Sequence, residues 1–342
     1  MKALFIGFGN VGRKIASILA RERERFPNLK DLAIEPVGIV TRSKGSLADP
    51  EGLDFNEALS MMEELGRFDP DSPACSKLES LEAAECLDYD VLVELSTLSI
   101  EKNGEPATSH IRTALSRGKH AVSANKGPVA FSYSEIAGLA REKGCRFLHE
   151  TIVMDGAPVF NLARCTLKGC IVTGVEGIFN STTNFVLTQM EQGVSLEDAV
   201  REAQRVGVAE ADPSHDLEGW DAAAKTAALA NVLMNAGITP FDVARTGISG
   251  VTQEEVAKAV AKGGHLKLIC RAKPEGGSVR ATVGVEEVEG RHYYAAVSGR
   301  GAVLRIETDL MGPIFVTQED PTLYDTAYGV LDDLLTLQRP IS

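Results

Sequence analysis

The 342-residue chain has no apolar run long enough to cross a bilayer, no C-x-x-C pair, no internal repeat and no low-complexity tract. The first absence argues against a transmembrane helix, which needs about 20 apolar residues. The six cysteines (Cys75, Cys86, Cys145, Cys165, Cys170, Cys270) are scattered. Reduced thiols are therefore expected, not a disulfide frame or a thiolate metal site. Positive charge is also short, since 35 Lys and Arg face 48 Asp and Glu, a formal net charge of −13. That balance argues against general binding to nucleic acid or to an anionic membrane. Met1-Lys2 leads directly into a strand-like run with no secretory signal pattern, so a cytoplasmic protein is expected. What remains is an ordinary globular composition in a chain long enough for two domains.

The first such domain announces itself at once. Ala3-Leu4-Phe5-Ile6 reads as a buried strand, and Gly7-Phe8-Gly9-Asn10-Val11-Gly12 follows it. Val11, Ile15, Ile18 and Leu19 then recur at helical spacing. A G-x-G-x-x-G turn between strand and helix is the dinucleotide fingerprint. Gly7 and Gly9 let the backbone turn tightly and approach a pyrophosphate, and Asn10, Val11 and Gly12 open the helix whose N–H groups face it. The second strand, Pro36 to Thr41, ends in Arg42-Ser43-Lys44, with no acid until Asp49. An acid there would select the ribose 2′-hydroxyl of NAD. Arg42 and Lys44 instead suit a 2′-phosphate, which predicts a preference for NADP with NAD still possible. Asp90 to Leu95 is a further strand, and Ser96 and Thr97 stand just past it, at the end a parallel sheet presents to its ligand. Residues 43–88 read as a surface elaboration of this domain.

The stretch from Gly207 to Lys225 carries the densest chemistry. Asp212-Pro213-Ser214-His215-Asp216 is turn-rich, and a helix is predicted to start near Gly219 and run through the alanine-rich segment 221–231. Asp221 and Lys225, four apart, share a face of that helix with the acid on the N-terminal side. The flanking alanines predict close packing. A desolvated lysine held by a carboxylate suits a proton donor or acceptor.

Gly207, Glu210, Asp212-Pro213, Asp216, Gly219, Asp221 and Lys225 together resemble the signature of homoserine dehydrogenases. The resemblance implies an NAD(P)-dependent oxidoreductase that interconverts L-homoserine and L-aspartate 4-semialdehyde, in the biosynthesis of threonine, methionine and isoleucine. It implies Lys225 as the proton donor, Asp221 as the group that positions the active site, and Glu210 and Asp216 as substrate holders. Asn125-Lys126 resembles the family's Asn-Lys at a strand end, making Lys126 a second catalytic candidate beside the coenzyme. Asn180-Ser181-Thr182 resembles a substrate-contacting loop, with Ser181 where the family has glycine and Thr182 retained. Glu150 and the carbonyls of Val153, Asp155 and Ala157 match positions that hold a sodium or potassium ion. Asp155 departs from the small residue usual there, and would strengthen an ion site or point at substrate.

The resemblance further implies a homodimer formed with antiparallel strands, read here at Lys267 to Val285 and His292 to Glu307. The glycine-rich loop usual near the C-terminus is reduced to Gly312-Pro313, and no regulatory domain is expected after Ser342. The fold class expected is α/β. Residues 1–149 with 308–342 form a Rossmann-like dinucleotide-binding domain, and 150–307 a substrate-binding, catalytic and dimerisation domain. Two rivals stay open. One is a sister dehydrogenase acting on another small amino or hydroxy acid, motivated by Asp155, Ser181 and the altered loop. The other is a non-catalytic NADP-binding sensor, which has no need of Lys126 and Lys225.

Overall fold

Thirteen strands form two sheets in the computed structural model, in which residues 1–338 are described. The first sheet contains β1 (Lys2–Ile6), β2 (Glu35–Val40), β3 (Ser46–Ala48), β4 (Cys75–Ser76), β5 (Val91–Glu94), β6 (His120–Ser123) and β7 (Phe147–Leu148). Their spatial order is β4-β3-β2-β1-β5-β6-β7. β2, β1, β5, β6 and β7 run parallel, and β3 and β4 add an antiparallel edge. Both faces of β1 are buried. Phe5 packs with Ile15, Leu19 and Leu331 on one side, and Leu4 and Ile6 with Ile111 and Leu115 on the other. Burial on two faces explains why β1 and β5 read as continuous apolar runs, not alternating ones. Each buried Leu or Ile contributes about 1.5–3 kcal/mol, so Leu4→Ala is a sufficient single change to loosen this layer.

The second sheet contains β8 (Val172–Ile178), β9 (Ala244–Arg245), β10 (Gly264–Glu275), β11 (Ser278–Glu289), β12 (Ala302–Thr308) and β13 (Ile314–Gln318), in the order β13-β12-β8-β10-β11-β9. Its central helix, Trp220–Met234, begins one residue after the left-handed Gly219. Ala222, Ala223, Ala224, Ala227, Ala228 and Ala230 are all fully buried. Small side chains let a helix backbone lie close to its neighbours, and alanine costs the helix nothing in propensity. The alanine run thus serves both the helix and its packing.

The chain divides into two units by contact. One is Met1–Pro128 with Ser132–Pro158 and the chain from Thr322, and the other is Val129–Phe131 with Val159–Pro321. The boundaries expected at 149/150 and 307/308 therefore fall later, at 158/159 and 321/322. β13 is the reason for the second shift, because it pairs with β12 in the second sheet. Only the helix Leu323–Gln338 returns to the first unit, and residues 339–342 of the expected range lie outside the described residues. The antiparallel strands expected at 267–285 and 292–307 are present, with their bounds shifted. The run 267–285 is a hairpin turned at Gly276-Gly277, whose φ values of +60° and +86° suit the tight turn that glycine pairs make. The run 292–307 begins with a 3₁₀ turn, Tyr293–Ala296, and becomes a strand only at Ala302. The elaboration at 43–88 is more than surface, since Leu47, Phe55, Leu59, Met62 and Phe68 are buried in the first unit's core.

Candidate active site

At the carboxyl end of β1 the first unit leaves a place for an anion. Gly7 has φ +103°, and a Cβ there would lie 2.7 Å from the Leu95 carbonyl oxygen. Only glycine fits. Gly9 precedes the helix Asn10–Ala20 with no side-chain cap, no acid stands in its first turn, and a Cβ at Gly9 would meet open space. The N–H groups of that first turn, where Asn10, Val11 and Gly12 stand, keep their capacity for a ligand. Gly12 packs against Phe8 and Leu95, which holds helix and strand together. These features fit a pyrophosphate.

Arg42 and Lys44 sit on the hairpin between β2 and β3, tied by the Thr41 hydroxyl, which donates to Gly45 O (2.7 Å) and accepts from Lys44 N (2.9 Å). Arg42 is exposed, and among the described residues neither basic side chain makes an ion pair. After β5, Ser96 N donates to Glu94 Oε1 at 2.7 Å, while Thr97 is exposed. Lys126 stands at the entrance of the helix Gly127–Glu142, with Ala124 and Asn125 between it and the end of β6.

The second unit gathers a cluster from three parts of its own sequence. Asn180 caps the helix Ser181–Met190, its Oδ1 accepting from Thr183 N at 2.8 Å. Its Nδ2 donates to Asp216 Oδ1 (2.7 Å) and to Asp221 Oδ2 (2.9 Å). Lys225 Nζ lies 3.2 Å from Asp221 Oδ2 and donates to Phe179 O at 2.8 Å. The Lys225 and Asp221 side chains are only 17% and 16% exposed, so this pair is screened far less than a surface ion pair. Burial and the neighbouring Asp221 charge push the Asp216 carboxyl above the ordinary range, while Asn180, Thr182 and Lys225 hold it back. Thr182 also reaches Val208 O at 3.2 Å, and Ser181 opens the helix. Glu210 does not join them. It lies on an exposed segment, and its carboxylate has no partner among the described residues.

Asn180 is the residue that sequence reasoning passed over in favour of its neighbours Ser181 and Thr182. Its signal was an asparagine immediately before a helix, the position where its side chain caps.

The turn from Glu150 to Ala157 belongs to the first unit and is held by the helix Leu323–Gln338. Glu150 N donates to Asp333 Oδ2 (2.8 Å), and Thr151 Oγ1 to Thr326 O (3.0 Å). Asp155 adopts φ +48° and its Oδ1 accepts from Thr326 Oγ1 at 2.7 Å. That bond gives the unusual carboxylate a local partner. Glu150 is buried at 3% exposure. Among the described residues no group of three or more His, Cys, Asp and Glu gathers to hold a metal ion.

A parallel sheet with a glycine turn at its carboxyl end, and a second unit carrying a carboxylate-held lysine, define an NAD(P)-dependent oxidoreductase. Residues 7–150 match the family model described as homoserine dehydrogenase, NAD binding domain, and residues 158–335 match the one described as homoserine dehydrogenase. An NAD(+)-dependent homoserine dehydrogenase of Pseudomonas canavaninivorans is 35% identical, over 99% of this chain and 96% of its own. The homoserine dehydrogenase of Methanocaldococcus jannaschii is 34% identical over 98% of both. Among solved structures, homoserine dehydrogenase from Thermoplasma acidophilum superposes with a TM-score of 0.84 at 26% identity, covering 99% of each chain. The chain belongs to the homoserine dehydrogenase family.

Proposed function

We propose that this NAD(P)-dependent homoserine dehydrogenase interconverts L-homoserine and L-aspartate 4-semialdehyde through Lys225, in amino-acid biosynthesis. The observation that carries the assignment of roles is the Asn180–Asp216–Asp221–Lys225 cluster. Bound NAD(P)(H) supplies or accepts the hydride. Lys225, as ammonium, donates a proton to the aldehyde oxygen and takes it back from the hydroxyl in oxidation. Asp221 and Phe179 O favour that charged form and fix its direction. Asn180 ties both carboxylates to one helix start, so Asp216 presents a preset acceptor to the substrate ammonium. Thr182 and Ser181 are assigned to the substrate wall, and Glu210 to a substrate contact from its exposed segment. Lys126 is assigned the second proton-handling role and, with Ser96 and Thr97, a place beside the coenzyme. Arg42 and Lys44 are assigned to the 2′-phosphate of NADP, although the Pseudomonas relative is named for NAD. The test is an assay of the purified protein with L-homoserine and each coenzyme. Turnover of another hydroxy acid in preference to homoserine would favour the sister dehydrogenase that Ser181 suggests.

We infer a monovalent-cation site at Glu150 with the backbone oxygens of Val153, Asp155 and Ala157. Activity is expected to rise with sodium or potassium relative to a bulky organic cation at matched ionic strength, and equal rates sink the idea. A cytoplasmic homodimer built on the second sheet is proposed on the same family grounds. Light scattering of the purified chain reads its mass.

A further inference from the structure

Glu94 is the last residue of β5 and is fully buried, an expensive place for a carboxylate. Its Oε2 lies 2.6 Å from Nδ1 of His110, itself 1% exposed, on the helix Ala107–Ser116. The Nε2 of His110 is buried without a partner. A ring that carries its proton on Nδ1 leaves only a bare lone pair there, cheaper than an unpaired N–H. The pair therefore occupies the core at a cost, and its other bond shows what it does. Glu94 Oε1 accepts Ser96 N at 2.7 Å. Ser96 O accepts Asn125 Nδ2 at 3.0 Å, and Ser96 Oγ lies 3.3 Å from the same nitrogen. Asn125 Oδ1 then accepts Gly127 N at 2.8 Å. The Asn125 backbone is gripped from behind, its N accepted by Ser123 Oγ (3.1 Å) and its O accepting from the same hydroxyl (2.8 Å). Lys126 is thus the one residue between two anchored neighbours.

We propose that Glu94, held by His110, is a positioning residue that fixes Lys126 through Ser96 and Asn125. The inference rests on the reading of Lys126 as catalytic. Because a carboxylate at a strand end sets one amide, the loops after β5 and β6 become a single rigid bracket with the lysine at its apex. Misplacement of a catalytic group by about 1 Å costs about 100-fold in rate.

The experiment compares Glu94→Met, which keeps the volume and removes the acceptor, with Glu94→Gln, which keeps an oxygen for Ser96 N. Glu94→Met is expected to lower kcat by about 10- to 100-fold, a larger factor than the change in coenzyme Kd that a loosened Ser96 brings. Glu94→Gln is expected to restore most of the loss. In a Lys126→Ala background Glu94→Met should add nothing, because the group it positions is gone. Hydrogen exchange of the 123–128 segment should speed up in Glu94→Met. Unchanged exchange, a loss confined to KM or coenzyme Kd, or full additivity with Lys126→Ala overturns the proposal. Normal kcat in Lys126→Ala alone refutes the role of the lysine instead, and the exchange data still decide the bracket. If Glu94→Met does not fold, Glu94→Met with His110→Leu removes both partners together and leaves only the Ser96 amide unpaired.

Discussion

The glycine turn of the first unit and the lysine cluster of the second solve opposite problems. Gly7 to Gly12 makes room, with one position closed by the Leu95 carbonyl and another open to a ligand, and its working groups are backbone N–H. Phe179, Asn180, Asp216, Asp221 and Lys225 fill room, and all but the Phe179 carbonyl act through their side chains. A backbone site fails when something is added to it, and a side-chain site when something is taken away. That contrast orders the expected damage.

The largest loss is expected from Lys225→Ala, which should reduce the rate at saturating substrate by about 10²–10⁴, the range for losing a general acid or base. Lys126→Ala should fall in the same range. Coenzyme binding should survive in both, measured by fluorescence titration. Near-normal turnover of homoserine by Lys225→Ala would mean that the cluster serves packing, and the assignment of roles would go with it.

Additions to the glycine turn should split by position. Gly7→Ala forces a Cβ into the Leu95 carbonyl at a φ hostile to side chains, so it should lower stability by about 1–3 kcal/mol. Gly9→Ala meets no protein atom. It should leave the urea midpoint alone and weaken coenzyme by about 1–3 kcal/mol, as for an overfilled contact. Identical effects from the two substitutions would erase the distinction drawn between them. Arg42→Ala should weaken NADP(H) by about 1–3 kcal/mol, as for a charged hydrogen bond, and leave NAD(H) nearly unchanged. Equal losses for both coenzymes would show that Arg42 does not meet the phosphate.

The same contrast explains what the sequence could say. The glycine turn is local, the six residues Gly7 to Gly12 between strand and helix, so its geometry is written where it is used. The cluster needs Asn180 to meet Asp216 and Asp221, 36 and 41 residues away, and no periodicity carries that. Asp221 and Lys225 were legible because four residues on a helix is a contact in itself. Glu210 stands six residues before Asp216 in the same signature, yet among the described residues its carboxylate joins nothing, because the segment between is exposed and not helical until Ser214. Nor did any pattern mark β13 as part of the second sheet. A short strand of alternating burial looks alike in either unit until its partner β12 is known.

A second lysine tests how much burial alone explains. Lys267 is 1% exposed in the second unit, and its Nζ donates to Val297 O (2.7 Å) and Asn184 Oδ1 (3.1 Å). Its partners are neutral oxygens, where Lys225 has a carboxylate beside it. Burial lowers the Lys267 pKa from the ordinary 10.5, with the Glu191 charge opposing. Between that lowered value and 10.5 the unfolded chain binds more protons than the folded one, so this group makes stability rise with pH. Its cost is full below the lowered value and is relieved as pH climbs towards 10.5. Cys270, pushed up to about 12 by burial, works against it above pH 9, because there the unfolded chain loses its proton first. Wild type alone would therefore mix the two, and the difference from Lys267→Met isolates the lysine. Urea midpoints at pH 7 and 10 should show wild type gaining on Lys267→Met as pH rises, with kcat unaltered at neutral pH. A constant difference between them would mean that Lys267 keeps its ordinary pKa in the fold, and a fall in kcat to the level of Lys225→Ala would mean that a carboxylate is not what separates a chemical lysine from a structural one here.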